Sequence, residues 1–408
     1  MQKGKFSDVA TYPGSLKWDE TIQRQNNLYI RKNDIRSEFF RDYNRILHCK
    51  AYRRLKHKTQ VFFATTNDHI CTRIEHVSHV ASVSETISNY LGLNSELTRA
   101  IAIGHDLGHA PFGHKGEVIL KQISNNEQIE PFWHEKNSLW FVDKLEMLTS
   151  QSGEKRNLSL TYGVRDGIIS HCGEVNENTI SPRNEAFDLY KIEKPNQYSP
   201  YTWEGCVVKI ADKISYIGRD IEDAITLKIL SRDQLKELQY ILDNKTNLHL
   251  RDINNTVLIH NLIINLCKTS FPDKGICFSD EYLNLINSIK AFNYKNIYNH
   301  PRLTYFHNYA ELIINSIFEI LSNIYNKEKT IDEAKRLKDI YPNLSATFTD
   351  WLITYAETDV QQRNLYKFEN EVIYDLNKRD DYIKAIIHYI SSMTDQYAIS
   401  LFNEITKF

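Results

Sequence analysis

The distribution of helix breakers constrains this chain more than any other feature of its sequence. Thirteen of its 14 glycines lie at or before Gly218, and only Gly275 follows. Proline is equally thin after Pro200, with Pro272, Pro301 and Pro342 alone. Inside a helix Gly costs roughly 1 kcal/mol and Pro roughly 3 kcal/mol relative to Ala, so a stretch nearly devoid of both is free to be helical. The stretch from Gly218 to Phe408, with runs such as Ala310-Glu-Leu-Ile-Ile-Asn-Ser-Ile-Phe-Glu-Ile-Leu-Ser322, reads as helices joined by short turns. We find no set of alternating strands and no Rossmann glycine fingerprint behind an apolar strand. The expected fold class is all-α, with little or no sheet.

Three earlier segments show helical faces. From about Arg73 to Leu91, Ile74, Val77, Val80, Ala81, Ile87 and Leu91 recur near the i, i+3, i+4, i+7 spacing. Asn94 and Ser95 are good N-caps for a second helix running through Leu97, Ala100, Ile101 and Ile103 to Gly104. A third, from about Gly205 to Leu230, puts Val207, Ile210, Ala211, Ile214, Ile217, Ile221 and Ala224 on one face. Between the second and third lie two loop-prone stretches. One runs from Ser150 to Asn157; the other, Glu174 to Tyr201, carries Pro182, Pro195 and Pro200 and suits a lid or an oligomer contact. The expected organisation is a core over residues 1–230, with a loop insertion at about 174–201, and a helical C-terminal part over 231–408 packed on it.

Composition narrows the function classes. With 12% aromatic residues, the chain can bury far more surface than a disordered one. Lys+Arg total 50 against 52 Asp+Glu, which argues against a surface wholly devoted to nucleic acid but leaves local basic pockets open. No stretch approaches the roughly 18 apolar residues of a membrane span. The start, MQKGKFSDVATYPG, lacks an apolar signal core, so the expected location is cytoplasmic and no membrane partner is expected. The six cysteines form no CxxC pair, which excludes a zinc ribbon and a disulfide framework.

Ten of the 15 histidines fall within the first 171 residues, and the densest run is His105-Asp-Leu-Gly-His109-Ala-Pro-Phe-Gly-His114-Lys-Gly-Glu117. The pair His105-Asp106 ends an apolar helix. Burying a carboxylate there without a partner would cost several kcal/mol, roughly, and a divalent cation removes that penalty. Imidazole and carboxylate suit Mn, Fe, Zn or Mg-type sites. Further ligands would come from His76 or His79 on the first helix and from Asp212, the acid among the apolar residues of the third. Each of these residues alone reads as an ordinary core or surface group; together they are hard to produce by chance. Gly108-His-Ala-Pro-Phe-Gly113-His-Lys115 nearly spells a P-loop, but His114 interrupts it and no strand precedes it.

The pattern His76…His105-Asp106…Asp212 resembles the HD-domain phosphohydrolase signature. Further words narrow the resemblance to the deoxynucleoside triphosphate triphosphohydrolases, the dGTPase-like enzymes. They are Arg41-Asp-Tyr-Asn-Arg-Ile-Leu-His48, Arg53-Arg-Leu-Lys-His-Lys-Thr-Gln-Val-Phe62, Thr72-Arg-Ile-Glu-His76, Trp133-His-Glu-Lys-Asn-Ser138 and Asp212-Lys-Ile-Ser-Tyr-Ile-Gly-Arg-Asp220, beside the 105–117 run. The resemblance is dense from about residue 38 to 225. It implies a helical HD core, a divalent metal (Mn, Mg, Fe, Co or Zn) on His76, His105, Asp106 and Asp212, and His114 with Glu117 as the catalytic pair. It also implies Arg73, His109, His134 and Lys213 around the phosphates and Gln60, Tyr216 and Asp220 near the deoxyribose. Tyr298-Asn-His300 echoes a Tyr-x-His near the base. The implied substrate is a dNTP, with a dNTP effector, a homo-oligomer such as a hexamer, and single-stranded nucleic acid as further partners.

The residue chemistry agrees with such roles. A dNTP brings about four negative charges, which Arg73, Lys115, Lys213 and protonated histidines can meet locally. His114 can fold back as general acid or proton shuttle, with Glu117 at helical spacing to orient it; attack by His114 itself is the alternative. Asp212, Tyr216 and Asp220 occupy i, i+4 and i+8, one helix face. Competing readings are another HD phosphohydrolase, acting on nucleoside monophosphates, cyclic nucleotides or (p)ppGpp, and a regulatory or nucleic-acid-binding protein with a vestigial site.

Overall fold

The computed structural model describes residues 4–26, 33–63, 67, 69–172, 179–245, 255–356 and 360–407. Among the described residues the chain forms 18 α-helices and two small two-stranded antiparallel sheets. The fold class is all-α, as the scarcity of breakers implied. Seven helices matter for the site: α1 (Arg73–Leu91), α2 (Ser95–Gly104), α3 (Gly113–Asn126), α4 (His134–Trp140), α5 (Tyr162–Ser170), α6 (Trp203–Thr226) and α7 (Asp395–Thr406).

The chain divides into two compact units. The first comprises Met1–Asn44, Val61–His105 and Leu160–Thr304; the second comprises Arg45–Gln60, Asp106–Ser159 and Tyr305–Phe408. One of the five boundaries between them falls on the His105–Asp106 peptide bond.

In the first unit α1 packs on α2 and α6, and α5 packs on α2 and α6. Helix α1 starts with a Thr72/Glu75 capping box, in which the Thr72 N–H donates to Glu75 Oε2 at 2.8 Å. It ends at Gly92, whose φ of +83° is the left-handed conformation that glycine adopts without strain. A Cβ on Gly92 would also lie 2.3 Å from Ser7 Oγ. Asn94 caps α2, accepting from the Glu96 and Leu97 amides at 3.1 and 3.3 Å. Val77, Val80, Val83, Ile87 and Leu91 of α1 are buried, as are Val207, Ala211, Ile214, Ile217, Ile221 and Ala224 of α6. Each such Val, Leu or Ile contributes roughly 1.5–3 kcal/mol of burial.

Two buried carboxylates lock the frame of this unit. Glu204 Oε1 accepts from the Thr11 and Asn94 amides, both at 3.0 Å. Asp42 accepts from the Thr161 amide at 2.8 Å and from Arg24 Nη1 at 2.6 Å. The described part of the 174–201 stretch is pinned here too: Arg183 pairs with buried Asp166 at 2.6 Å, and Asp166 also takes the Tyr201 amide. Its residues 174–178 lie outside the described residues. Thr179–Ile180 pairs with Ile276–Cys277.

In the second unit the loop-prone stretch after Ser150 is the turn of a hairpin, Met147–Thr149 against Lys155–Asn157, with Gly153 at φ +91°. Strands of three residues are too short for alternation to be read from sequence. Deep in this unit His388 is buried beside Trp140, its Nδ1 2.8 Å from the Tyr374 hydroxyl. Burial pushes its imidazole down to about 3. The depressed value means that the neutral ring stabilises the fold above about pH 6.5, and that this stabilisation is lost as pH falls towards about 3, because only the unfolded chain takes up the proton. Replacing His388→Gln should therefore remove a slope of about 1.4 kcal/mol per pH unit from the acid limb. Urea unfolding of both proteins between pH 4 and 7 measures the difference; parallel curves would exclude it.

Candidate active site

Helices α1, α2 and α6 bring three ligand-type side chains together in the first unit. His76 comes from the first turn of α1, His105 follows the last residue of α2, and Asp212 lies midway along α6. His76 Nε2 is 3.0 Å from Asp212 Oδ1, and His105 Nε2 is 3.8 Å from the same oxygen. Their ligand atoms all lie within 4.8 Å of one another. The His105 ring is aimed by its other nitrogen, with Nδ1 2.6 Å from the Ala102 carbonyl. A second-nitrogen bond of this kind fixes tautomer and direction at metal-binding histidines. Burial would raise the Asp212 carboxyl, but the hydrogen bond from His76 and the positive potential of His76, His105 and His171 outweigh it and hold it at about 2. Two imidazole nitrogens and an ionised carboxylate oxygen, converging and mostly buried, fit a divalent transition metal.

His171 stands beside this cluster and was missed by sequence reasoning. It is 1% exposed, follows α5, and stands edge-on to His105 with ring centroids 4.8 Å apart. Its Nδ1 binds the Ile168 carbonyl at 2.6 Å, the same i−3 arrangement as His105. The one available signal was that repeated geometry, a histidine immediately after an apolar helix. His79, the other histidine of α1, lies outside the cluster; burial and nearby Arg219 lower its ring.

Further along the same elements, Arg73 is 1% exposed at the start of α1, and Lys213 follows Asp212, also buried. Tyr216 is half-buried. Asp220 is buried and takes a short hydrogen bond from the Tyr298 hydroxyl. Tyr298 is raised well above the phenol range, by burial first and then by Asp220. His300 Nδ1 accepts the Arg302 amide at 3.2 Å. Arg219 pairs with Glu222 and Asp223, at 3.2 and 3.6 Å.

The second unit holds Asp106, His109, His114, Glu117 and His134. Ligand atoms of Asp106, His109 and His134 lie within 4.8 Å of one another, as do those of His109, His114 and Glu117. The glycines of the motif make this possible. A Cβ on Gly108 would meet the Ser138 amide nitrogen at 2.2 Å, and one on Gly116 would meet the Pro111 carbonyl oxygen at 1.8 Å. Gly108 N–H donates to Ser138 Oγ at 2.9 Å, docking the turn on α4. The rings of His109 and His134 stack at 4.2 Å and 21°.

Glu117 grips His134 more closely than His114. It accepts the His134 amide at 3.0 Å and lies 3.0 Å from its Nδ1 through both oxygens, against 3.9 Å to His114 Nδ1. Burial would lower His134, but Glu117, Glu135 and Asp106 outweigh it and raise the ring to about 10. His134 first, then His114 and His109, hold Glu117 well below the carboxylate range against its own burial. His134 is therefore an imidazolium at neutral pH. His114 is mostly exposed at the start of α3. Lys115 is engaged by Glu311 at 2.9 Å, and Gln60 is buried in this unit. A separate cavity of about 670 Å³ in this unit, lined by Lys50, Arg54, Phe141, Trp351 and Tyr397 among others, includes none of these residues.

Fold and histidine–aspartate cluster define an HD-domain protein, and the HD domain family model matches residues 73–217. The chain is 32% identical over 375 residues to a deoxyguanosinetriphosphate triphosphohydrolase-like protein of Caldanaerobacter subterraneus, covering 92% of this chain and 86% of that one. A protein of the same description from Rickettsia prowazekii is 33% identical, with 91% and 92% covered, and one from Desulfatibacillum aliphaticivorans is 36% identical, with 71% and 74% covered. The chain belongs to the deoxyguanosinetriphosphate triphosphohydrolase-like family. None of its helices, among the described residues, is long and apolar enough to cross a membrane.

If the α1–α2–α6 cluster is a cation site, His76→Ala, His105→Ala and Asp212→Ala should each weaken Mn²⁺ binding by more than the roughly 10–100-fold typical of losing an outer partner. His171→Phe should fall within that range. Calorimetric titration on variants with unchanged circular dichroism measures it; wild-type affinity in all three alanine variants would exclude the site.

Proposed function

We propose that this chain is a metal-dependent triphosphohydrolase of deoxynucleoside triphosphates, of the dGTP type, releasing deoxynucleoside and inorganic triphosphate. The observation that carries this reading is the convergence of His76, His105 and Asp212 within 4.8 Å, in a chain of the dGTPase-like family. The family resemblance adds Asp106, the residue after His105 in the chain, as a fourth ligand. A divalent cation there (Mn, Mg, Fe, Co or Zn) supplies Lewis acidity towards the phosphate and water of lowered pKa.

The remaining residues bind, orient and move protons. The triphosphate's roughly four negative charges are met by Arg73, by Lys213 and by the His134 imidazolium that Glu117 holds. His109, stacked on His134, fixes that ring's plane. Hydrolysis forms a bond from water oxygen to α-phosphorus and breaks the bond from α-phosphorus to the 5′ oxygen, which leaves with a proton. His114 suits that transfer: its Nδ1 faces Glu117 at 3.9 Å, which leaves Nε2 as the atom that donates. Gln60, Tyr216 and Asp220 are assigned to the sugar, with Tyr298 orienting the Asp220 carboxylate. A 2′-hydroxyl would crowd Tyr216. A homo-oligomer and a dNTP effector belong to the same reading.

A panel of dNTPs and rNTPs with Mn²⁺ or Mg²⁺, resolved by anion exchange, tests the reaction class. Triphosphate should be released from dGTP without accumulating orthophosphate. Orthophosphate as the sole inorganic product, or turnover confined to monophosphates, cyclic nucleotides or (p)ppGpp, would assign the chain to another HD phosphohydrolase activity. In the same panel kcat/KM for GTP should fall at least about tenfold below dGTP, about 1.4 kcal/mol of discrimination. Equal values would remove Tyr216 from its role.

A further inference from the structure

The turn from His109 to Phe112 joins a stacked imidazole to the helix that carries His114 and Glu117, and its backbone is held from a remote part of the same unit. Phe112 has φ +63°, left-handed for a residue with a side chain, a conformation that costs about 1–2 kcal/mol and persists only where surroundings impose it. The amide of Phe112 donates to Asp395 Oδ1 at 2.8 Å, across 283 residues of sequence. The other oxygen of Asp395 takes the Thr59 amide at 2.9 Å. One residue earlier in the chain, buried Lys58 donates its Nζ to the carbonyl of His109 and to that of Ser391, the latter at 2.8 Å. Lys58 and Asp395 thus hold the two ends of the His109–Phe112 turn by its backbone. Both are buried, at 1% and 3% exposure.

We propose that Asp395, in the first turn of α7, is a positioning residue that sets the His109–Glu117 segment, with Lys58 as its counterpart at the other end of the turn. A carboxylate is needed because two amides converge on it from different segments. Two oxygens accept both, whereas the carboxamide of asparagine would turn an NH₂ group towards one N–H. The effect reaches the site through geometry: Phe112 and Gly113, at φ +63° and +60°, fix the direction in which α3 leaves the turn, and His114 is the next residue. A shift of about 1 Å in such a group costs on the order of 100-fold in rate.

The kinetic part of this inference rests on the triphosphohydrolase reading; the structural part does not. The full-length Asp395→Asn protein should lose about 10- to 100-fold in kcat for dGTP with KM within about threefold, and bind Mn²⁺ as the wild type does. Hydrogen–deuterium exchange should accelerate at least about tenfold in peptides covering 109–117, with peptides of α1 unchanged. Wild-type kcat together with wild-type exchange in 109–117 would overturn the proposal. So would faster exchange spread evenly over the chain, the mark of general destabilisation. If Asp395→Asn does not fold, Lys58→Gln addresses the same turn from its other end with the same expected and overturning results. Should the wild type turn over no dNTP, the functional reading fails, and local exchange alone decides the positioning claim.

Discussion

The contact on which this architecture turns is the 3.0 Å approach of His76 Nε2 to Asp212 Oδ1. Asp212 sits on a helix whose other face is Val207, Ala211, Ile214 and Ile217, all buried in the packing of α6. An ionised carboxylate in such surroundings is expensive unless positive charge compensates it. Imidazoles from α1 and from the ends of α2 and α5 supply that compensation. They can do so because α1, α2, α5 and α6 pack on one another along apolar faces whose caps fix where each helix ends. The capping box at Thr72, the Asn94 cap and the left-handed Gly92 are thus part of the site's construction. Each sets the helical phase at which a ligand leaves its element.

The second unit solves a different problem, the tight turning of a chain that must present several polar side chains in few residues. Gly108 and Gly116 allow backbone contacts that any Cβ would prevent, and Phe112 and Gly113 both adopt left-handed backbone. Local sequence makes this turn possible without making it stable. Its orientation depends on buried Lys58 and Asp395, a cation for carbonyl oxygens and an anion for amides.

How much of this was legible in the sequence depends on the distance over which each feature is determined. Helix limits are local: the reading from Arg73 to Leu91 coincides with α1, and the Asn94 cap with the start of α2. The family words name His76, His105 and Asp212, and these three converge. What escaped was tertiary. His171 carries no motif, and its ring is found against His105 only because α5 packs on α2. The i, i+3 spacing of His114 and Glu117 suggests a pair, yet Glu117 takes its shorter contacts from His134, 17 residues away. Spacing on a helix brings side chains within reach; it does not decide which of two reachable partners is closer when one arrives on another helix. Asp395 was invisible for the same reason, since the amide it accepts lies 283 residues away in sequence, and Tyr298, read only as an echo of a residue near the base, has its partner Asp220 78 residues away.

In both units buried charge is met by a local partner. In the first unit α1 and α6 carry buried Arg73 and Lys213 beside Asp212 and buried Asp220. Asp212 is held ionised at about 2, and Asp220 is engaged by a phenol. In the second unit His134 is raised to about 10 by Glu117, so that pair is internally neutral, and His109 and His114 stand beside it. Cationic groups at such low exposure are tolerable only with matching negative charge close by. Glu117 provides that charge for His134, and Glu222 and Asp223 provide it for Arg219.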